Sequence, residues 1–340
     1  MTKPLLRVLA AFATLALFII SAHVVRSSTQ GAPDFPDARI TSSSAEVIIE
    51  IPAGATGSEI ASLAAQKGVV KSSEALFRVF VGDKRAERIA PGAHRLTLKI
   101  SARQALEQLL DHDRIPGLIQ IFEGEWNSEV IASLVKNGYA ARDVRRALSS
   151  VSLPRGFNSP EGLLFPAAYS FERDTPINEV IGAMATRGIK ELTSVGIIGA
   201  KDRYTPSQLL TIASIIQQEG DVKDFAKISR VIRNRLEIGM RLQLDSTVHF
   251  IKGTRGNVFL STQSTLIKSP FNTYQRYGLP PTPIGNPGRA AMEAALQPEE
   301  GPWLFFITIK PGDTRFTDSL DQFNRWKVEY KKNLKAGAFS

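Results

Sequence analysis

Three kinds of apolar pattern run along this chain. The first is an unbroken stretch, VLAAFATLALFIISAHVV from Val8 to Val25, whose eighteen residues carry no formal charge. That length is just enough to cross a hydrocarbon layer of roughly 30 Å. Lys3 and Arg7 precede it, which favours a cytoplasmic N-terminus with the remainder exported. A cleaved signal peptide is the alternative, but the apolar run is long for one and no clean Ala-x-Ala site follows it. The pattern therefore predicts a single-pass membrane anchor over residues 1–26. The next stretch, SSTQGAPDFPDARITSSS, has no apolar periodicity and reads as a flexible linker over residues 27–45.

The other two patterns are short β-like runs and helical stripes. VIIEI predicts a strand, Ser58 to Lys67 a helix that Gly68 ends, Glu74 to Phe80 a second helix, and His94 to Ile100 a second strand. A helix at Arg103–Leu110 follows. The segment GLIQIFEGEWNSEVIASLVKNG then echoes VIIEIPAGATGSEIASLAAQKG, giving a reused strand–turn–helix unit. Two copies are too few for a solenoid. Beyond Pro160 the tract GLLFPAAYSFERD reads as extended, Pro176–Val195, Thr205–Glu219 and Asp224–Leu236 as helices, and Gly239–Gly288 as loops. Arg289–Leu296 predicts a helix, Trp303–Ile309 a strand, and the polar C-terminus a further helix. The class is α+β: an N-terminal transmembrane helix, a small β-α-α-β module over residues 46–112, and a mixed α+β domain over residues 113–335.

Composition narrows the chemistry. With 43% hydrophobic and 22% charged residues the chain is not broadly disordered. Cysteine is absent, which removes disulfides, thiolate nucleophiles and cysteine-ligated metal. The net charge of +9 favours an acidic partner such as nucleic acid, anionic lipid or a wall polymer; a plain solvated surface is the alternative. No nucleic-acid-binding motif supports the first of these. The four histidines (His23, His94, His112, His249) are scattered, without metal-ligand spacing. No phosphate loop or nucleophile elbow appears. No metal and no cofactor is expected.

The helix TPSQLLTIASIIQQEG carries the strongest chemical signal. Thr205 as N-cap, Pro206 at the first helical position and Gln208 three residues on form a capping box, and Gly220 is a natural stop. Ile212, Ile216 and Glu219 share one stripe, whereas Thr211, Ser214 and Gln218 form a polar one. Glu219 is thus a carboxyl group on an apolar face in the last turn. Burial and the negative end of the helix dipole both disfavour its charged form, as a general acid near neutral pH requires. The alternatives are a side chain swung out into water or paired with an arginine of the next helix.

ASIIQQEG, NRLEIGMRLQLDSTV and SPFNTYQRYGLPPTPIGNPG, in this order and spacing, resemble the three signature blocks of the YceG-like family. The tract EGLLFPAAYSFERD also matches the family's layout, and the β-α-α-β module resembles a LysM-type fold associated with binding N-acetylglucosamine polymers. The resemblance implies a lytic transglycosylase that cuts nascent peptidoglycan strands at the outer face of the cytoplasmic membrane, with Glu219 as acid/base. It further implies glycan synthases as partners. Where the family's first block carries two glutamates, this chain has Gln217 and keeps Glu219. Late in the chain Arg315 stands at the place of a family histidine, and Gln322-Phe323-Asn324 replaces a Glu-His-Asn triplet, which bears on rate or specificity.

One carboxyl group suffices for such a reaction. Ordinary glycosidases use two, but N-acetylmuramic acid can offer its own C6 hydroxyl as nucleophile, giving a 1,6-anhydro end at the effective concentration of an intramolecular attack. Asp221, Asp224 and Asp245 are the nearest second carboxylates. Asp224 reads as a helix N-cap and Asp221 as a turn residue, while Asp245 is divided between loop structure and substrate contact. Asn272, Thr273, Tyr274 and Gln275 offer amides and hydroxyls for sugar groups, with turn closure as the alternative for Asn272 and Thr273. Arg233, Asn234 and Arg235 could hold Glu219 or a loop carbonyl, with Arg233 expected on the helix surface. The rival functional class is a non-catalytic wall-binding scaffold of the elongation or division machinery.

Overall fold

The computed structural model describes residues 31–52, 54–171, 174–255 and 260–339. The expected anchor over residues 1–26 lies outside them, and among the described residues no helix is long and apolar enough to cross a membrane. The chain divides into two compact units. One takes the described residues up to Leu118 with Ser170 and Phe171; the other takes Ile119–Tyr169 and the residues from Asp174 onward.

In the first unit, β1 (Glu46–Ile51) pairs antiparallel with β2 (Gly92–Thr97), setting Val47 opposite Leu96. The alternation buries Ile49 and Ile51 and leaves Ile48 outside, as a one-sided sheet requires. Between the strands lie α1 (Gly57–Gln66) and α2 (Ser73–Gly82), and α3 (Ala102–Leu110) follows. Thr56 with Glu59 and Ser101 with Gln104 close capping boxes. The second strand ends before the expected Ile100 because Lys99 turns into the left-handed region, φ 57°. Residues 33–38, within the stretch read as linker, bond to the helices: Asp34 accepts the Ala102 N–H at 3.0 Å, and Ala38 and Gln104 exchange two bonds of 2.8 Å.

In the second unit, β3 (Ile119–Gln120) pairs with β4 (Ala168–Tyr169). Helices α4 (Asn127–Lys136), α5 (Ala141–Ser149), α6 (Ile177–Ser194), α7 (Pro206–Glu219), α8 (Phe225–Glu237), α9 (Asp245–Lys252) and α10 (Arg289–Leu296) precede a hairpin of β5 (Phe305–Lys310) and β6 (Asp313–Thr317). Helix α11 (Leu320–Lys335) closes the unit. The echoed segment does fold as strand, turn and helix, but Trp126 replaces the capping Thr56. Only half of the box survives, with Glu129 accepting the Trp126 N–H at 2.7 Å.

Helix α7 is the axis of this unit, packed on α8, α9 and α10. Leu209, Leu210, Ile212, Ala213, Ile215 and Ile216 are fully buried, and so are Thr211 and Ser214. Of the expected polar stripe, Thr211 and Ser214 are therefore not solvated, whereas Gln218 stays half-buried at the cavity. The two hydroxyls bond back to the helix, Thr211 to the Ser207 carbonyl at 2.9 Å and Ser214 to the Thr211 carbonyl at 2.8 Å, which lets the polar side be covered. Ser214 Oγ also accepts the Ile284 N–H at 3.0 Å, pinning the proline-rich loop.

Asn286, wholly buried, ties three distant segments. Its backbone exchanges bonds with Gly124 (2.7 Å) and Glu125 (2.8 Å). Its amide donates to the Glu125 carbonyl (2.8 Å) and Asn127 Oδ1 (3.0 Å), and its Oδ1 accepts the Leu164 N–H (2.9 Å). Three elements departed from expectation: no element was expected where α5 (Ala141–Ser149) forms. Helix α9 falls inside the tract read as loops, and strand β6 was not foreseen. The eight residues of α9 are too few to display a helical period.

Candidate active site

Glu219 is the last residue of α7. Gly220 ends the helix in an extended conformation (φ −174°), and a Cβ there would sit 2.5 Å from Ile228 Cδ1. A side chain here would have to push the end of Ile228 aside, and the extended backbone makes no left-handed cap. The chain then returns so that α9 begins beside the carboxyl group, and the Ser246 N–H donates to Glu219 Oε1 at 3.3 Å. Although the residue keeps some exposure, its carboxyl group is enclosed. Burial pushes its pKa up to about 7, the Ser246 hydroxyl and amide oppose this, the Asp245 charge adds to it, and the Arg235 charge opposes it. The sequence had credited burial and the α7 dipole. The like charge of Asp245 and the facing N-terminus of α9 come from the tertiary structure.

Asp245 opens α9 and accepts the Tyr274 hydroxyl. Burial and this carboxylate hold the phenol far above its ordinary pKa. Arg235 lies behind the pair. Its Nε donates to the Leu304 carbonyl at 2.6 Å and another nitrogen donates to the Leu242 carbonyl. The alternative of an arginine on the next helix holding Glu219 thus survives only as a nearby charge, because the guanidinium is bonded to loop carbonyls.

Glu219 opens into a cavity of about 290 Å³ lined by Trp126, Gln218, Asp245, Ser246, His249, Thr254 and Arg255. Arg255 stacks 4.0 Å above the Trp126 ring centre and is chelated by Glu129 at 2.5 and 2.6 Å. Phe250 meets the same indole edge-on at 5.8 Å. A larger cavity, about 530 Å³, lies on the first unit beside α1. Glu59 in its lining is held ionised by the Thr56 N–H and hydroxyl, so it is a poor proton donor. Glu161 is a further enclosed carboxyl group with a pKa pushed by burial up to about 7, but it caps the start of α4 through the Asn127 N–H at 3.0 Å.

The other expected residues divide. Tyr274 and Asp245 come together beside Glu219. Asn272, Thr273 and Gln275 do not reach the cavity. The Asn272 amide donates to the Thr265 and Ile267 carbonyls at 3.0 and 2.7 Å, and its Oδ1 accepts the Tyr274 N–H. Thr273 Oγ1 accepts the Leu244 N–H at 3.0 Å and shares a bond with Thr247. Gln275 reaches the Thr265 carbonyl. Arg233 is buried, not superficial, and bonds Asp202 and the Ala295 carbonyl, while Asn234 holds the Gly301 and Trp303 carbonyls. Asp224 precedes α8 but makes no side-chain cap.

The departures at the end of the chain have local partners. Arg315 pairs with Asp313 and Glu329, and Phe323 stacks on Phe305. Gln217 accepts the Gly288 N–H at 2.9 Å and donates to Glu123 at 3.3 Å, a donation no glutamate could make. Among the described residues no cluster of His, Asp and Glu has metal-binding geometry.

Sequence reasoning missed Trp126, Ser246, His249, Thr254 and Arg255. Had α9 been recognised, Asp245, Ser246 and His249 would have fallen on one face of it, at i, i+1 and i+4. Trp126 and Arg255 had no such signal.

Residues 49–329 match the YceG-like family. A relative from Bacillus subtilis named endolytic murein transglycosylase is 30% identical over 306 residues, 84% of each chain. One from Streptococcus pneumoniae with the same name is 31% identical over 176 residues, 50% of this chain and 32% of that protein. A crystal structure of a yceG-like protein from Listeria monocytogenes, 26% identical, superposes with a TM-score of 0.57 over 83% of this chain and 99% of the other. On the extent of these matches, the chain belongs to the YceG-like family.

Proposed function

We propose that this chain is a peptidoglycan transglycosylase that cuts the β-1,4 bond between N-acetylmuramic acid and N-acetylglucosamine and leaves a 1,6-anhydro end. The observation that carries this reading is Glu219, a cavity-facing carboxyl group whose pKa burial pushes up to about 7, while Asp245 beside it accepts the Tyr274 hydroxyl. The names of the relatives support the same substrate class. At neutral pH both protonation states of Glu219 are populated. The acid form gives its proton to the glycosidic oxygen; the resulting carboxylate removes the proton of the muramic acid C6 hydroxyl as that oxygen closes on C1. Proton and bond counts then balance without water. The Ser246 N–H fixes Oε1, which leaves Oε2 as the oxygen that serves the substrate. The first unit is proposed as a LysM-like glycan-binding module, and the apolar N-terminal run as an anchor that keeps the enzyme at the outer face of the cytoplasmic membrane, near glycan synthases.

The test is mass spectrometry of soluble products after the purified full chain digests peptidoglycan, wild type against Glu219→Gln. Anhydro-muramyl ends that disappear in the variant are expected. Reducing ends would replace this reading with hydrolysis and a second carboxylate.

A further inference from the structure

The first unit carries an apolar stripe that its own core does not use. Helix α2 turns Ala75, Leu76 and Phe80 into that core. It also presents Phe77 and Val81, one turn apart, to solvent, where they are 42% and 73% exposed. A surface helix ordinarily keeps its outer face polar, and apolar residues on both sides mark a second partner. The charges around the stripe do not oppose an apolar, anionic one. Glu74 is paired with Arg78 and Asp83 with Arg85. From Lys71 to Arg88 cations outnumber acids by five to three.

Chain length decides what lies near α2. The Ser72 hydroxyl, which caps this helix, donates to the Pro33 carbonyl at 2.7 Å. Asp34 and Ala38 bond onto α3. The segment read as a linker is therefore strapped to the first unit from Pro33 onward. Eight chain steps separate Pro33 from Val25, the end of the apolar run, and even fully extended they reach no more than about 29 Å. With that run in the bilayer, the start of α2 lies within this distance of the lipid. Phe77 and Val81 follow Ser72 along the helix axis by about 7.5 and 13.5 Å.

We infer that Phe77 and Val81 form a lipid-docking face that lays the first unit on the outer surface of the bilayer. This rests on the reading of residues 1–26 as an anchor. Two side chains alone would not hold a free protein on a membrane. A tether this short makes the contact intramolecular, at an effective concentration of the order of millimolar. The Phe77 ring and the Val81 methyls enter the headgroup boundary to a depth of roughly 5–10 Å, and Lys71 and Lys84, at the two ends of the helix, meet lipid phosphates.

The chain has no cysteine, so a single introduced one can carry a polarity-sensitive dye. A Cβ at Gly82 would meet no atom within 4 Å, and Gly82→Cys sets the dye beside Val81. Ile48→Cys sets it on the exposed side of β1, turned away from the core. Each full-length variant is reconstituted in vesicles of equal parts phosphatidylcholine and phosphatidylglycerol, with and without spin-labelled lipid that quenches the dye. At position 82 the emission is expected to shift to the blue and to be quenched, and at position 48 to do neither. Adding Phe77→Gln and Val81→Gln to the Gly82→Cys chain removes most of the shift and the quenching. Quenching at position 82 no greater than at position 48, in chains that float with the vesicles, would overturn the docking face and leave the anchor standing. Quenching that survives the two glutamines would overturn the assignment to Phe77 and Val81. A chain that does not float with the vesicles at all would remove the anchor and the docking face together.

Discussion

The Ser246 N–H donates to Glu219 Oε1, so the carboxyl group at the C-terminal end of α7 meets the N-terminal end of α9. The two helix ends act on it in opposite directions. The carbonyl end of α7 disfavours the negative charge, and the amide end of α9 favours it. Burial and the Asp245 charge tip the balance toward the protonated form.

The raised pKa of Glu219 has a cost in stability with a definite sign. In the unfolded chain the carboxyl group ionises near the ordinary glutamate value of 4.5, and burial in the folded protein pushes this up to about 7. Between those values the folded state holds more protons, so stability falls as pH rises through the window and the deficit is complete above it. Glu219→Gln is therefore expected to raise the melting temperature at pH 8, by roughly 1–3 kcal/mol of stability, and to change it little below pH 4.5. The same variant loses about 10²–10⁴-fold in rate. A variant equally destabilised at both pH values would contradict the assignment.

Asp245→Asn removes the like charge beside Glu219 while an amide oxygen can still accept the Tyr274 hydroxyl. The Glu219 pKa then falls, and the alkaline limb of the kcat/KM profile moves to lower pH. A profile unmoved by the substitution would show that Asp245 acts only as a structural residue.

Asn272→Ala should act on stability. It strips two carbonyls and one N–H of their partner inside a fully buried turn. A loss of about 2–4 kcal/mol in urea denaturation is expected. In the fraction that stays folded, KM for glycan strands is unchanged; a raised KM would return Asn272 to the substrate.

Arg233 and Asp202 form an enclosed pair, 8% and 16% exposed at 2.8 Å. Arg233→Met leaves Asp202 partly buried without its partner, and the Ala295 carbonyl without its donor. We expect a loss of about 3–5 kcal/mol. Recovery of most of that loss in the double variant with Asp202→Asn would confirm that the orphaned charge, not lost packing, carries the penalty.

Periodicity sufficed for the long helices and for placing Glu219 on the apolar face at the end of α7, because α7 has its cap, its proline and its apolar run in one contiguous segment; its role as acid/base came from the family resemblance. It failed where the deciding interaction is distant in sequence. Thr211 and Ser214 look solvent-facing until α10 and the proline-rich loop cover them. Asn272 and Thr273 look like ligands for a sugar until Thr265, Ile267 and Leu244 claim them. Arg255 and Trp126 lie 129 positions apart in the sequence, and no local pattern announces that one stacks on the other.

Asn286 has a consequence for biosynthesis. It joins residues 122 to 162 positions earlier, so the wall that carries Trp126 cannot close until nearly the whole second unit has left the ribosome. Loops of that size make assembly a late, slow event.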